Sequence, residues 1–141
     1  MNFKFLAIVA CALGLAACGD DTPNPDMLKG ANFISDQPGV NITLSFDPID
    51  MRVYGGVVNR YSGEYSAFGD TIKFGPFVST MMMGDPQSME TEQVYFQFMP
   101  TVEKYELSDG KLTLIGENGT EIVFTQVDEI PDVAPSAQNA E

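Results

Sequence analysis

The 23 residues YELSDGKLTLIGENGTEIVFTQV, Tyr105 to Val127, alternate apolar and polar side chains and are cut twice by a turn pair. Alternation with a period of two marks half-buried strands. Asp109-Gly110 and Asn118-Gly119 are dipeptides that tight hairpin turns favour, since they tolerate positive φ. Three consecutive antiparallel strands, a β-meander, are expected here. Their shared apolar face must be covered by further structure.

Upstream segments supply more sheet. In NITLSFD (41–47), Ile42, Leu44 and Phe46 share one face, and DPID (47–50) reads as a turn. MRVYGGVVNRYSGEYSAF (51–68) gives two short strands around a glycine-rich bend, and TIKF (71–74) alternates again. One helix interrupts the pattern. Asp85 is a good N-cap, Pro86 suits the first turn, and Pro100 ends the helix. Met89, Val94, Tyr95, Phe96, Phe98 and Met99 cover more than half its circumference, leaving a polar stripe of Glu90, Gln93 and Gln97. A helix with so wide an apolar arc calls for sheet on more than one side. The expected fold is α+β, a curved antiparallel sheet or open β-barrel wrapped around one amphipathic helix. Glu92 falls inside the apolar arc, where a carboxylate needs partners. Arg60, Asn59 and nearby backbone N–H groups are the candidates, which makes Glu92 a clamp between helix and sheet, or a general acid.

The ends of the chain read differently. Lys4 precedes an apolar run from Phe5 to Ala17, the length of a secretory h-region and too short to span a bilayer. The run ends in Leu15-Ala16-Ala17-Cys18, which resembles the lipobox of bacterial lipoproteins. That resemblance implies cleavage before Cys18 and attachment of acyl chains such as palmitate to it. In such lipoproteins an aspartate after the cysteine is associated with retention in the inner membrane; Gly19 stands there, so the resemblance implies the outer membrane of the cell envelope. Residues 18–26 then form the lipidated cysteine and a flexible tether, 27–127 the folded domain, and 128–141 a disordered acidic tail.

Composition removes several chemistries. The chain has no histidine and two cysteines, Cys11 in the leader and Cys18 at the lipid site. Ser-His-Asp and Cys-His nucleophiles are excluded, as are zinc sites of the usual type. A net charge of −13 disfavours nucleic acid. No catalytic residue, metal or cofactor is assigned. A carboxylate hydrolase would need Glu92 with Asp85 or Glu90, all on one short helix.

The folded part resembles the META domain, the family of HslJ-like bacterial lipoproteins, from about Asn41 to Val127. GGVVNRYSGEY looks like the family's glycine-led segment, with Asn59, Arg60, Tyr61, Ser62 and Gly63 in the motif positions. FGPFVSTMMMGDPQSMETEQVYFQFMP looks like its second signature, matched by Thr80, Met82, Glu92, Phe96 and Met99. Many members carry one cysteine before the Asn-Arg pair and another after a Thr-Arg-Met segment. Val58 and Gly84 stand at about those places here, and Met81 stands where arginine is usual. The resemblance implies structural roles for Asn59, Arg60, Gly63, Thr80 and Glu92.

Met81, Met82 and Met83 are then expected on an extended segment leading into the helix. Thioethers fill irregular gaps well, so with Phe96 and Met99 they form a packing site or a site for an apolar guest. An exposed contact patch and a soft-metal site remain open. The functional expectation is a membrane-anchored, non-enzymatic module for binding or assembly support in the envelope. Its partner would be an envelope protein or a hydrophobic ligand, such as an acyl chain or apolar protein tail that the domain carries or pilots.

Overall fold

A computed structural model of the chain describes residues 23–37 and 40–130. The leader, Cys18 and residues 131–141 of the expected tail lie outside them. Nine strands and one α-helix are found among the described residues: β1 (Asn32–Gln37), β2 (Val40–Phe46), β3 (Arg52–Gly56), β4 (Arg60–Phe68), β5 (Thr71–Phe74), β6 (Val78–Ser79), α1 (Pro86–Phe98), β7 (Val102–Ser108), β8 (Lys111–Gly116) and β9 (Glu121–Val127). Single 3-10 turns cover Pro25–Met27 and Met99–Thr101.

Eight strands close into an antiparallel barrel in the order β1-β2-β3-β4-β5-β7-β8-β9, and β9 returns to β1. The two-residue β6 pairs with the start of β4 beside β5. The expected antiparallel barrel with one helix is the fold, and the barrel is closed. Closure leaves one thin seam. β5 meets β7 through the pair Thr71↔Lys104, and Tyr105 N–H donates to Asp70 O at 3.0 Å. The connection that carries α1 links the two sides of this seam.

The turns follow local chemistry. Asp109 and Gly110 both have positive φ, 55° and 75°, as a type I′ hairpin demands. Asn118-Gly119 differs from the expected two-residue turn. Gly116 N–H donates to Thr120 O across a three-residue loop in which only Gly119 has positive φ. The Asn118 side chain accepts from Thr120 N–H at 3.1 Å and holds the loop.

Alternation places one face of each strand inside. Phe33, Leu44, Phe46, Val53, Tyr65, Ile72, Tyr105, Leu112, Leu114 and Phe124 are buried in a single core cluster. Phe46 stands edge-on to both Phe33 and Tyr65, with centroids at 5.9 and 5.1 Å. An eight-stranded barrel is just wide enough to be filled by its own side chains, and this one is packed with aromatic rings. Burial runs past the expected C-terminal limit of the domain. Ile130 is buried, and Asn32 Nδ2 donates to Asp128 O. The disordered tail expected from residue 128 therefore does not begin before Ile130.

α1 starts at the expected cap: the Asp85 side chain accepts from Ser88 N–H at 3.0 Å. Tyr95 and Phe98 enter the core, and Met99 follows them from the adjoining turn. The wide apolar arc is only partly covered, because Val94 is more than half exposed. One side of the helix packs on the barrel end where the β1–β2, β3–β4 and β8–β9 connections meet, and the other side faces solvent.

Candidate functional site

The residues singled out by motif converge where the β3–β4 turn meets the segment before α1. Asn59 is buried at the end of that turn and acts as a hub. Its backbone N–H donates to Glu92 Oε1 at 2.7 Å, and Val58 N–H donates to the same oxygen at 3.1 Å. Asn59 Nδ2 donates to Glu92 Oε2 at 2.8 Å and to Met82 O at 3.1 Å. Asn59 Oδ1 accepts from Thr80 Oγ1 at 2.8 Å and from Met82 N–H. Arg60 joins through its main chain: its N–H donates to Thr80 Oγ1 and its carbonyl accepts from Thr80 N–H. Buried Glu92 thus has donors on both oxygens, which satisfies the requirement its place in the apolar arc imposes. The partners are Asn59 and backbone N–H groups; the Arg60 side chain is exposed.

An aromatic layer lies beside this network. Phe77 stacks on Tyr61 at 4.7 Å, and Phe96 stands edge-on to both rings. Gly63 makes room for Phe77; a Cβ there would lie 2.5 Å from its ring. Tyr61 Oη donates to Thr43 O at 2.7 Å and meets Tyr95 Oη at 2.6 Å. A carbonyl can only accept, so the Tyr61 proton goes to Thr43 and Tyr95 donates to Tyr61. Gly55 permits this approach, since a Cβ there would lie 2.0 Å from Thr43 O. Burial pushes both phenols well above the ordinary tyrosine range.

The methionines overturn the packing expectation. Met81, Met82 and Met83 are 90, 56 and 85% exposed. β6 ends at Ser79, and Asn59 grips the main chain of Met82 rather than its side chain, so the segment runs along the surface. Met82 is the least exposed of the three. The three thioethers, with Met89, Gln93, Phe96 and Gln97 of α1, line a surface groove of 450 Å³. Met99, expected beside them, is buried in the core instead. A second groove, of 580 Å³, lies on the other side of α1, between Glu90, Val94 and residues 120–123.

The three carboxylates of α1 and its cap do not face one another across a cleft. Glu92 is bonded to the β3–β4 turn, the Asp85 side chain bonds Ser88, and Glu90 lines the second groove. Among the described residues no three His, Cys, Asp or Glu side chains are grouped to hold a metal, and no helix is long and apolar enough to cross a membrane.

The model of the META domain matches residues 25–129. The chain belongs to the META domain family. Those limits agree with the 3-10 turn at Pro25 and with burial that continues to the C-terminal side of β9. Two solved structures share the META fold seen here. An NMR structure of a protein from Burkholderia xenovorans is 16% identical and superposes with a TM-score of 0.68, covering 89% of this chain and 96% of that one. A second NMR structure is 20% identical with a TM-score of 0.58, covering 73% of this chain and 94% of the other. No curated protein matches the chain.

Proposed function

We propose that this META protein is a lipoprotein of the bacterial envelope, anchored through lipid on Cys18, and that its domain binds or supports the assembly of other envelope components without catalysing a reaction. The observation that carries the binding role is how polar and apolar groups are distributed. Asn59, Thr80 and Glu92 are spent on one another, while the apolar side chains Met81, Met82 and Met83 are held out in water. Exposed apolar patches of this kind mark contact sites. The leader and its Leu-Ala-Ala-Cys end support the anchor, and Gly19 after the cysteine supports the outer membrane as its location.

Anchoring is tested by metabolic labelling with an alkyne fatty acid and by membrane fractionation. Label and membrane association should both be lost with Cys18→Ser; retention of both would refute the anchor. Binding is tested by photo-crosslinking in cells from Met82, Val94 and Phe68, all exposed. At least one position should capture a defined envelope component, and silence at all three would count against the role. Turnover of peptidoglycan fragments that disappears in Glu92→Gln would refute the non-enzymatic reading.

A second reading is a carrier of a hydrophobic guest, such as an acyl chain or an apolar protein tail. It is favoured by the two grooves flanking α1, since the barrel interior is occupied by side chains. Native mass spectrometry of protein purified without detergent decides it. A co-purified mass lost on denaturation supports the carrier; a clean apo mass removes it.

A further inference from the structure

β6 is an open sheet edge. It pairs with β4 through Tyr61↔Ser79 and Ser62↔Val78 and stands last in the strand order. Past Ser79 the chain keeps one side toward β4. Thr80 N–H donates to Arg60 O at 3.0 Å, and both main-chain groups of Met82 bond the Asn59 amide. Residues two apart on an extended chain face the same way, so the N–H and C=O of Met81 face the other. Among the described residues those two groups have no hydrogen-bond partner. An unpaired edge is a template for an incoming strand, and natural edges are commonly guarded by lysine or proline. Neither occurs from Phe77 to Asp85.

The side chains beside this edge suit one kind of occupant. Four methionines and Phe96 line the groove, and flexible thioethers adapt to varied apolar side chains. Charge narrows the choice further. No lysine, arginine or histidine occurs between Lys73 and Lys104, and exposed Asp85 lies just past the methionines, in a chain of net charge −13. Arg60, exposed on β4 beside Thr80, is the basic residue adjoining the segment. A basic partner is drawn to such a surface and an acidic one repelled.

We propose that the groove between Met81–Met83 and α1 binds an extended, cationic peptide segment of a partner protein as an added strand. The segment pairs with the main chain of Met81, sets alternate apolar side chains on the thioethers and Phe96, and turns its basic side chains to the acidic surface. This names the partner class for the binding role above and rests on it.

The test is fluorescence anisotropy with a labelled eight-residue peptide alternating isoleucine and lysine. Saturable binding is expected, weakening as salt rises. Met81→Pro removes an amide with no partner in the fold, so the fold should stand and affinity should drop roughly tenfold or more. Met81→Gln with Met83→Gln, which keeps the backbone intact, should also weaken binding. Equal binding of a proline-interrupted peptide, or unchanged affinity in a folded Met81→Pro protein, overturns strand addition. Equal binding of a glutamate–isoleucine peptide overturns the cationic preference. A fluorescent fatty acid that binds where the peptide does not, or a dimer abolished by the glutamine variants, overturns the peptide in favour of an acyl chain or a second copy. Crosslinks from Val94 or Phe68 without peptide binding would leave the envelope role standing and remove this inference alone.

Discussion

A disulfide should close between the β3–β4 turn and the start of α1 if Val58 and Gly84 are both replaced by cysteine. A Cβ built on Gly84 lies 3.6 Å from Val58 Cβ, inside the range of disulfide-bonded residues. That Cβ would meet the Val58 methyl Cγ1 at 2.9 Å, but the double substitution removes this methyl. The closed loop has on the order of 25 residues, for which chain entropy predicts about 3.5 kcal/mol of stabilisation. Loss of the half-buried valine methyls costs about 1 kcal/mol. A net gain of roughly 2–3 kcal/mol corresponds to a rise in Tm of about 10–20 °C for a domain of this size. The assay is thermal unfolding by circular dichroism, oxidised against reduced, with thiol counting by mass to verify the bond. The single Gly84→Ala should destabilise, and Val58→Ala should relieve it. Failure of the bond to form under oxidising conditions would mean that the two segments do not adjoin. A formed bond with no change in Tm would refute the entropic estimate. Many META proteins have cysteines at about these two places; here the valine methyls pack over the glycine instead. Met81 to Met83 add no packing there, since all three are exposed.

Three further outcomes follow from the same geometry. Glu92→Ala leaves Val58 N–H, Asn59 N–H and Asn59 Nδ2 short of an acceptor, and should cost about 3–5 kcal/mol in urea unfolding; an unchanged midpoint would refute the clamp. Burial raises the folded pKa values of Tyr61 and Tyr95, so the folded state holds these protons more tightly than the unfolded one. Their contribution to stability is complete below the unfolded value near 10 and is lost as pH rises beyond it. Tyrosinate absorbance should therefore appear together with unfolding, and Tyr95→Phe should shift the alkaline midpoint upward. Gly63→Ala drives a Cβ against Phe77 and should cost about 1–3 kcal/mol by thermal melting; Phe77→Ala in the same chain should relieve the clash while losing the stack on Tyr61.

Strands that carry their own apolar alternation were legible in the chain. Ile42, Leu44 and Phe46 of β2, and Leu112 and Leu114 of β8, all point inward. β1 was not legible, although it sits between β2 and β9 and closes the barrel. Its sequence, NFISDQ, offers Phe33 to the core and then buried Ser35. Its strand character is imposed by partners on both sides, which no local pattern records. The buried carboxylate was legible because helical phase alone placed Glu92 among apolar residues, and Asn59 was among its candidate partners. The direction of the methionines was not. Apolar type suggested burial, but what decides their position is a hydrogen bond from Asn59 to the main chain of Met82, a bond that any residue at 82 could accept.

The methionine segment is held by its backbone, so its side chains are released from the fold and free to shape the surface. Arginine is usual at position 81 in META proteins, and Met81→Arg tests the separation. Met81 is 90% exposed, and its side chain contributes nothing to the Asn59–Thr80–Glu92 network. The substitution should change stability by no more than about 0.5 kcal/mol, as surface replacements do. It also puts a cation into a stretch that has none from Phe74 to Glu103. Capture of a cationic peptide should then fall, and the loss should be greatest at low salt, where repulsion is least screened. Urea unfolding and peptide anisotropy on the same preparation separate the two effects. A loss of more than about 2 kcal/mol would show that the methionine side chain supports the fold after all. Unchanged peptide affinity at low salt in a stable protein would show that position 81 does not face the occupant.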